Sequence, residues 1–245
     1  RVAGAEALLR WHHPELGPVD PGLAVEIARA EGLGTRLSAW VLARACRAAA
    51  GWEGDRFVSV NLEPADLRMA DLAGEVTRIA AEAGLPPRRL WVEVTESQAL
   101  DDDPTIREAL EQLRAEGVAV VIDDFGAGYS SLDAFERYAF DVIKIDRALV
   151  ARCHERFNAT LILRTLRRLA EANGCRVVAE GVETGAELTA LRRMGFDLVQ
   201  GFAFHCPMAQ PDLARLLARA PASSLPLHAH PRTAPPRRRQ SVPGS

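Results

Sequence analysis

Seven short β-branched runs, each stopping on or beside a polar side chain, constrain the fold of this chain more than any other feature of it. They fall at residues 2–8, 57–62, 90–94, 118–122, 142–145, 176–179 and 198–200, and several are continuously apolar, which suits strands covered on both faces. Between them lie residues 71–83, 104–116, 160–172 and 186–194, rich in Ala, Leu, Glu and Arg at helical spacing. Gly84, followed by Pro86 and Pro87, and Gly117 each stop a helix just before the next strand. Strand alternating with helix over this length predicts a parallel sheet in an α/β fold.

The polar residues of these strands fall in one place. Glu6 lies in the first run, Asn61 in the second, Glu93 in the third, Asp123 and Asp124 after the fourth, Lys144 in the fifth, Glu180 after the sixth, and Gln200 closes the seventh. In a parallel barrel these ends converge on one mouth, where active sites of that architecture sit. Carboxylates crowded there raise each other's pKa unless a cation is present, and an all-oxygen set of acids and an amide suits a hard divalent ion. Mg²⁺ or Mn²⁺ is expected rather than Zn²⁺, because no His or Cys stands at these positions.

Lys144 is the single lysine among 30 Lys and Arg residues. A structural ion pair with a neighbour such as Asp146 is the plain reading of it. The alternative is a compact ammonium kept for its rotatable donors, which a guanidinium cannot mimic, to hold a water at the metal site. Glu93 alone could be a capping or pairing acid, but Glu96 repeats the theme three residues on. The segment from Asp123 through Phe125, Gly126 and Gly128 to Ser131 contains the tripeptide of kinase activation segments without its companion motifs. It also lacks the third glycine of a dinucleotide fingerprint. An acid pair followed by a Gly-rich loop beside a phosphate site remains.

With 48% hydrophobic and 26% charged residues, the 245-residue chain has the balance of one globular α/β domain. Cys46, Cys153, Cys175 and Cys206 are scattered without a CxxC pair, so reduced, packing thiols are expected rather than disulfides or structural zinc. No apolar run reaches bilayer length and no leader opens the sequence, which predicts a cytoplasmic location. His12, His13 and His205 read as surface or packed side chains. The organised domain is expected over residues 1–219, and the Pro-, Ser- and Arg-rich stretch 220–245 is expected to form a disordered tail.

These strings, in order, resemble the EAL domain family. Glu6–Ala7–Leu8–Leu9–Arg10–Trp11 carries its signature, followed by Ser59–Val60–Asn61–Leu62, Glu93–Val94–Thr95–Glu96–Ser97, Asp123–Asp124–Phe125–Gly126, Lys144–Ile145–Asp146, Glu180–Gly181–Val182–Glu183–Thr184 and Gln200–Gly201–Phe202. Any one string is weak evidence, whereas the ordered set, reaching from residue 1 to about 217, is specific. The resemblance implies a (β/α)₈ TIM-like barrel, here without the family's N-terminal helix and antiparallel first strand, that opens c-di-GMP to linear pGpG. It implies Glu6, Asn61, Glu93 and Asp123 as ligands of one ion and Asp123, Asp124 and Glu180 as the surroundings of a second. Lys144 would orient the attacking water, Glu180 would act as base, Arg10 would contact phosphate, and Gln200 would serve the water and metal site. Glu96 would tether the loop after Asp124, with Asp146 and Glu183 supporting. A homodimer, attachment to sensory or GGDEF-type domains, and no polymeric nucleic acid partner are further implications. The competing function within the family is a receptor that binds c-di-GMP without cleaving it.

Overall fold

The computed structural model describes residues 1–95, 103–126 and 139–221. All seven apolar runs form strands: β1 (Gly4–Glu6), β4 (Phe57–Asn61), β5 (Leu90–Thr95), β6 (Ala119–Phe125), β7 (Val142–Ile145), β8 (Arg176–Ala179) and β9 (Leu198–Val199). They make one seven-stranded sheet, ordered β1-β4-β5-β6-β7-β8-β9, in which every pairing is parallel. The sheet is a half-barrel of TIM-like type. As expected of such a barrel without the antiparallel first strand, backbone pairing does not close the ring: β1 pairs with β4 alone and β9 with β8 alone among the described residues.

The expected helices appear as α4 (Leu72–Glu82), α5 (Pro104–Ala115), α7 (Phe157–Ala172) and α8 (Gly185–Arg193). Between β1 and β4 the structure adds a hairpin, β2 (Trp11–His13) with β3 (Gly17–Val19), and two helices, α1 (Pro21–Ala30) and α2 (Gly34–Ala50). Short α3 (Pro64–Leu67) and α6 (Arg147–Val150) follow β4 and β7, and α9 (Gln210–Arg219) closes the described part. The hairpin strands are three residues long and partly polar, too short for an alternation to show. None of the described helices is long and apolar enough to cross a membrane.

Strand alternation divides the core into two layers. Val58, Val60, Leu90, Val92, Val94, Val120, Ile122 and Ile143 point outward and pack with Leu42, Cys46, Val76, Ile79, Ile106 and Leu113 of the covering helices. Trp91, Ala119, Val121, Val142, Val178 and Leu198 point inward and fill the lower part of the half-barrel, where Phe57 stacks on Trp91 at 3.5 Å. The site residues sit two positions further along these same inward rows. One layer of apolar side chains is thus the floor on which the polar layer stands.

Below that floor two buried arginines hold the helix ends. Arg89, 6% exposed, donates to the carbonyls of Arg56 at 2.8 Å, Ala49 at 2.7 Å and Trp52 at 3.1 Å. Arg56 in turn donates to Ala220 O at 2.7 Å, fastening the chain just past α9. Arg89→Ala leaves those carbonyls unpaired in the interior, at a cost on the order of 3 kcal/mol. We expect thermal unfolding to show a midpoint lowered by roughly 6–12 °C, with the carboxylate layer at the other end unaffected.

Candidate metal centre

Neighbouring strands in register bring distant acids together. Asn61 lies opposite Glu93 across β4 and β5, and Thr95 opposite Asp123 across β5 and β6. Lys144 occupies the middle, its side chain 4% exposed. Its Nζ lies 2.9 Å from Glu93 Oε2, 2.9 Å from Glu180 Oε1, 3.0 Å from Asp123 Oδ1 and 3.3 Å from Glu6 Oε2. Glu6 also accepts from Asn61 Nδ2 at 3.1 Å and from Gln200 Nε2 at 2.8 Å. That last bond spans from the β1 edge of the sheet to the β9 edge.

Two consecutive residues of a strand should face opposite ways, yet Asp123 and Asp124 both serve this site. The register explains it: Ile122 pairs with Ile143, but Phe125 pairs with Ile145, so β6 carries one extra residue at the acid pair. Asp124 takes up the excess in a left-handed conformation, with φ of 55°, and its backbone N–H donates to Asp123 Oδ1 at 3.0 Å. An aspartate tolerates that region better than most side chains. Two sets of acids result, Glu6 with Glu93 and Asp123, and Asp123 with Asp124 and Glu180, each offering oxygens within 4.8 Å of one another. Asp123 belongs to both.

The charge balance explains the titration behaviour. Burial would raise Glu6, but the Lys144 charge and the hydrogen bonds from Gln200 and Asn61 hold it below the ordinary carboxylate range. Burial pushes Glu93 up to about 8 against the pull of Lys144, with Glu6 and Asp123 adding to the rise. Glu180 is pushed up to about 7 by burial, partly offset by Lys144. Asp124 is raised by burial and by Asp123. Burial alone would lower Lys144, but Glu93, Glu6, Glu180 and Asp123 together raise it. One ammonium cannot neutralise this many acids, so protons make up the shortfall.

A divalent ion fits the same deficit. Glu93 Oε1 is buried without a hydrogen-bond partner, an arrangement costly for a carboxylate unless a cation takes the free lone pairs. The donors are all carboxylate and amide oxygens, as hard ions prefer. Glu6, Asn61, Glu93 and Asp123 could hold one ion, and Asp123, Asp124 and Glu180 a second.

The remaining expected site residues lie around this layer. Gln200 stands at its edge, and Gly201 beside it has φ of 154°, where a Cβ would come within 2.2 Å of Val182 O. Only glycine lets the chain turn there. Arg10 is exposed and donates to Leu9 O at 2.7 Å. Asp146 caps α6, its Oδ1 accepting from Ala148 N at 2.8 Å, and Glu183 pairs with Arg147 at 2.9 Å. Glu96 lies outside the described residues. One polar group escaped the sequence reading. Glu187, 4% exposed, accepts backbone hydrogen bonds from Glu183 and Thr184 after β8 and from Arg152 after α6, although Thr184 three residues before it is a legible capping-box signal.

Comparison with known proteins gives consistent relatives. Residues 1–207 match the family model described as EAL domain. MucR of Pseudomonas aeruginosa, a bifunctional diguanylate cyclase/cyclic di-GMP phosphodiesterase, is 37% identical over 221 residues, covering 89% of this chain and 32% of MucR. The PaMucR phosphodiesterase in complex with c-di-GMP superposes with a TM-score of 0.78 at 37% identity, over 86% of this chain and 87% of the other. The calcium/c-di-GMP complex of Klebsiella pneumoniae BlrP1 gives 0.77 at 35% identity, over 86% and 52%. A manganese/c-di-GMP complex of BlrP1 gives 0.72 at 35% identity, over 80% and 49%. The chain spans between 26% and 32% of the length of four curated relatives it matches.

Proposed function

Because the chain belongs to the EAL domain family, we propose that it hydrolyses c-di-GMP to linear pGpG with two divalent cations, Mg²⁺ or Mn²⁺. The observation that carries this reading is a single polar layer in which Asp123 is common to two acid sets around one buried lysine. The c-di-GMP, calcium and manganese named for the PaMucR and BlrP1 complexes support it.

Two bound ions would supply Lewis acidity at the scissile phosphate. Glu6, Asn61, Glu93 and Asp123 would hold one, and Asp123, Asp124 and Glu180 the other. Lys144 Nζ presents donors that orient the attacking water, and the Glu180 carboxylate, 2.9 Å from Lys144, takes a proton from it. The water oxygen bonds to phosphorus in line as the bond to the 3′ oxygen breaks; the departing oxygen takes a proton from solvent, to which Glu180 returns the one it removed. Arg10 offers a guanidinium to phosphate and Gln200 an amide, while Glu96, Asp146 and Glu183 support the surrounding loops. We take the domain to work in the cytoplasm as a homodimer joined to sensory or GGDEF-type domains. MucR's two named activities agree with such joining.

Incubation of the chain with c-di-GMP and Mn²⁺, followed by chromatography, should yield pGpG. Chelator and Glu6→Ala should each suppress it. Tight binding of c-di-GMP that ignores chelator and gives no product would place the chain among receptors instead.

A further inference from the structure

Lys144 and Glu180 touch at 2.9 Å, but Lys144 lies in β7, which leads through Asp146 into α6, and Glu180 just past β8, where a loop begins. The pairing of β7 with β8, Lys144 opposite Val178 and Ile145 opposite Ala179, brings the two strands together, and the segments that follow the strands help to hold the two side chains in place. Glu180 N donates to Ile145 O at 3.0 Å, and Arg147 pairs with Glu183 at 2.9 Å, but the latter contact is exposed and screened. The buried link is Glu187, on the first turn of α8.

Its carboxylate is shared between the two loops. Oε2 accepts from the backbone N–H groups of Glu183 and Thr184, both at 3.0 Å, in the loop that follows Glu180. Oε1 accepts from the N–H of Arg152 at 2.8 Å, in the turn that follows α6 on the Lys144 side. Thr184 Oγ1 accepts from Glu187 N at 3.2 Å and completes the cap. A capping box needs only one of these backbone bonds from its acid. Arg152, moreover, holds a left-handed φ of 53°, an unfavourable conformation for arginine that the bond to Oε1 helps to keep.

We propose that Glu187 is a positioning residue: by clamping the β7 loop to the β8 loop with one buried carboxylate, it holds Lys144 and Glu180 at the spacing that water orientation and proton removal require. The effect on turnover rests on the phosphodiesterase reading; the effect on the metal centre does not. Outer hydrogen-bond partners of ligating groups change affinity or activity by about 10–100-fold when removed, and a clamp of this kind belongs in that range.

The test compares Glu187→Ala, Glu187→Gln and Arg89→Ala, all well below their unfolding midpoints. Glu187→Ala should weaken Mn²⁺ binding by calorimetry, lower kcat for c-di-GMP about 10–100-fold with KM little changed, and speed amide exchange at Arg152, Glu183 and Thr184. Glu187→Gln keeps one acceptor oxygen and should recover part of each. Arg89→Ala, destabilised at the opposite end of the sheet, should leave Mn²⁺ affinity and kcat per folded molecule unchanged. Loss of Mn²⁺ affinity on Glu187→Ala in a chain whose wild type never cleaves c-di-GMP would retire the proposed function and still support the clamp. Wild-type Mn²⁺ affinity and kcat in Glu187→Ala, or an equal loss in Arg89→Ala, would overturn the clamp.

Discussion

Asp123→Asn is expected to abolish c-di-GMP turnover, by roughly a thousandfold or more, while leaving the metal-free chain at least as stable as the wild type. The two halves of that expectation have one cause. Asp123 is the only residue common to both acid sets, and its Oδ1 also lies 3.0 Å from Lys144. Asparagine keeps the shape and one acceptor oxygen but removes the negative charge that both ions would share. A thousandfold loss corresponds to about 4 kcal/mol of transition-state stabilisation, reasonable for a group that two cations depend on. Without ions the same charge is a burden, since Glu93 is raised partly by Asp123 and Glu180 likewise. Relieving it should hold or raise the unfolding midpoint. Turnover within tenfold of wild type in Asp123→Asn would show that the acid pair does not organise the reaction.

The centre was legible in the sequence because its logic is one-dimensional along each strand. Glu6, Asn61, Glu93 and Lys144 lie within apolar runs and Asp123 and Glu180 just after them, and period-2 alternation places them on one face once the strands are parallel. What could not be read depends on register between strands or on contacts between loops. The extra residue in β6 that turns Asp124 inward shows only against β7. Glu187 looked like an ordinary helical acid because its third partner, Arg152, is 35 positions away. The hairpin between β1 and β4 escaped because strands of three residues carry no usable period.

Protons and divalent ions should compete for the centre, so that metal stabilises the fold far more at high pH than at low. Glu93 at about 8 and Glu180 at about 7 both titrate above the ordinary carboxylate value of 4.5, which the unfolded chain approximates. Between those values the folded chain holds protons that the unfolded chain has released, so the stability of the metal-free chain falls as pH rises through that window and levels off above about 8. Glu6, lowered by Lys144, Gln200 and Asn61 against burial, works in the opposite sense, adding stability above its unfolded pKa that is lost on acidification. Asp124, raised by burial and by Asp123, acts in the same sense as Glu93 and Glu180, so three raised acids oppose one lowered one. An ion that binds only the folded chain at a hundred times its dissociation constant adds about 2.7 kcal/mol, or roughly 5–11 °C for a domain of this size. That gain should appear near pH 8.5 and shrink toward pH 5.5, where protons already occupy the oxygens the ion needs. Lys144→Met sharpens the test. Removing the only buried cation from among Glu6, Glu93, Asp123 and Glu180 should cost about 3–5 kcal/mol at the higher pH, much less at the lower, and part of it should return on adding Mn²⁺. Unfolding midpoints measured with chelator and with Mn²⁺ across this range decide the matter: a metal-induced shift independent of pH would mean that the raised acids are not the groups that receive the ion.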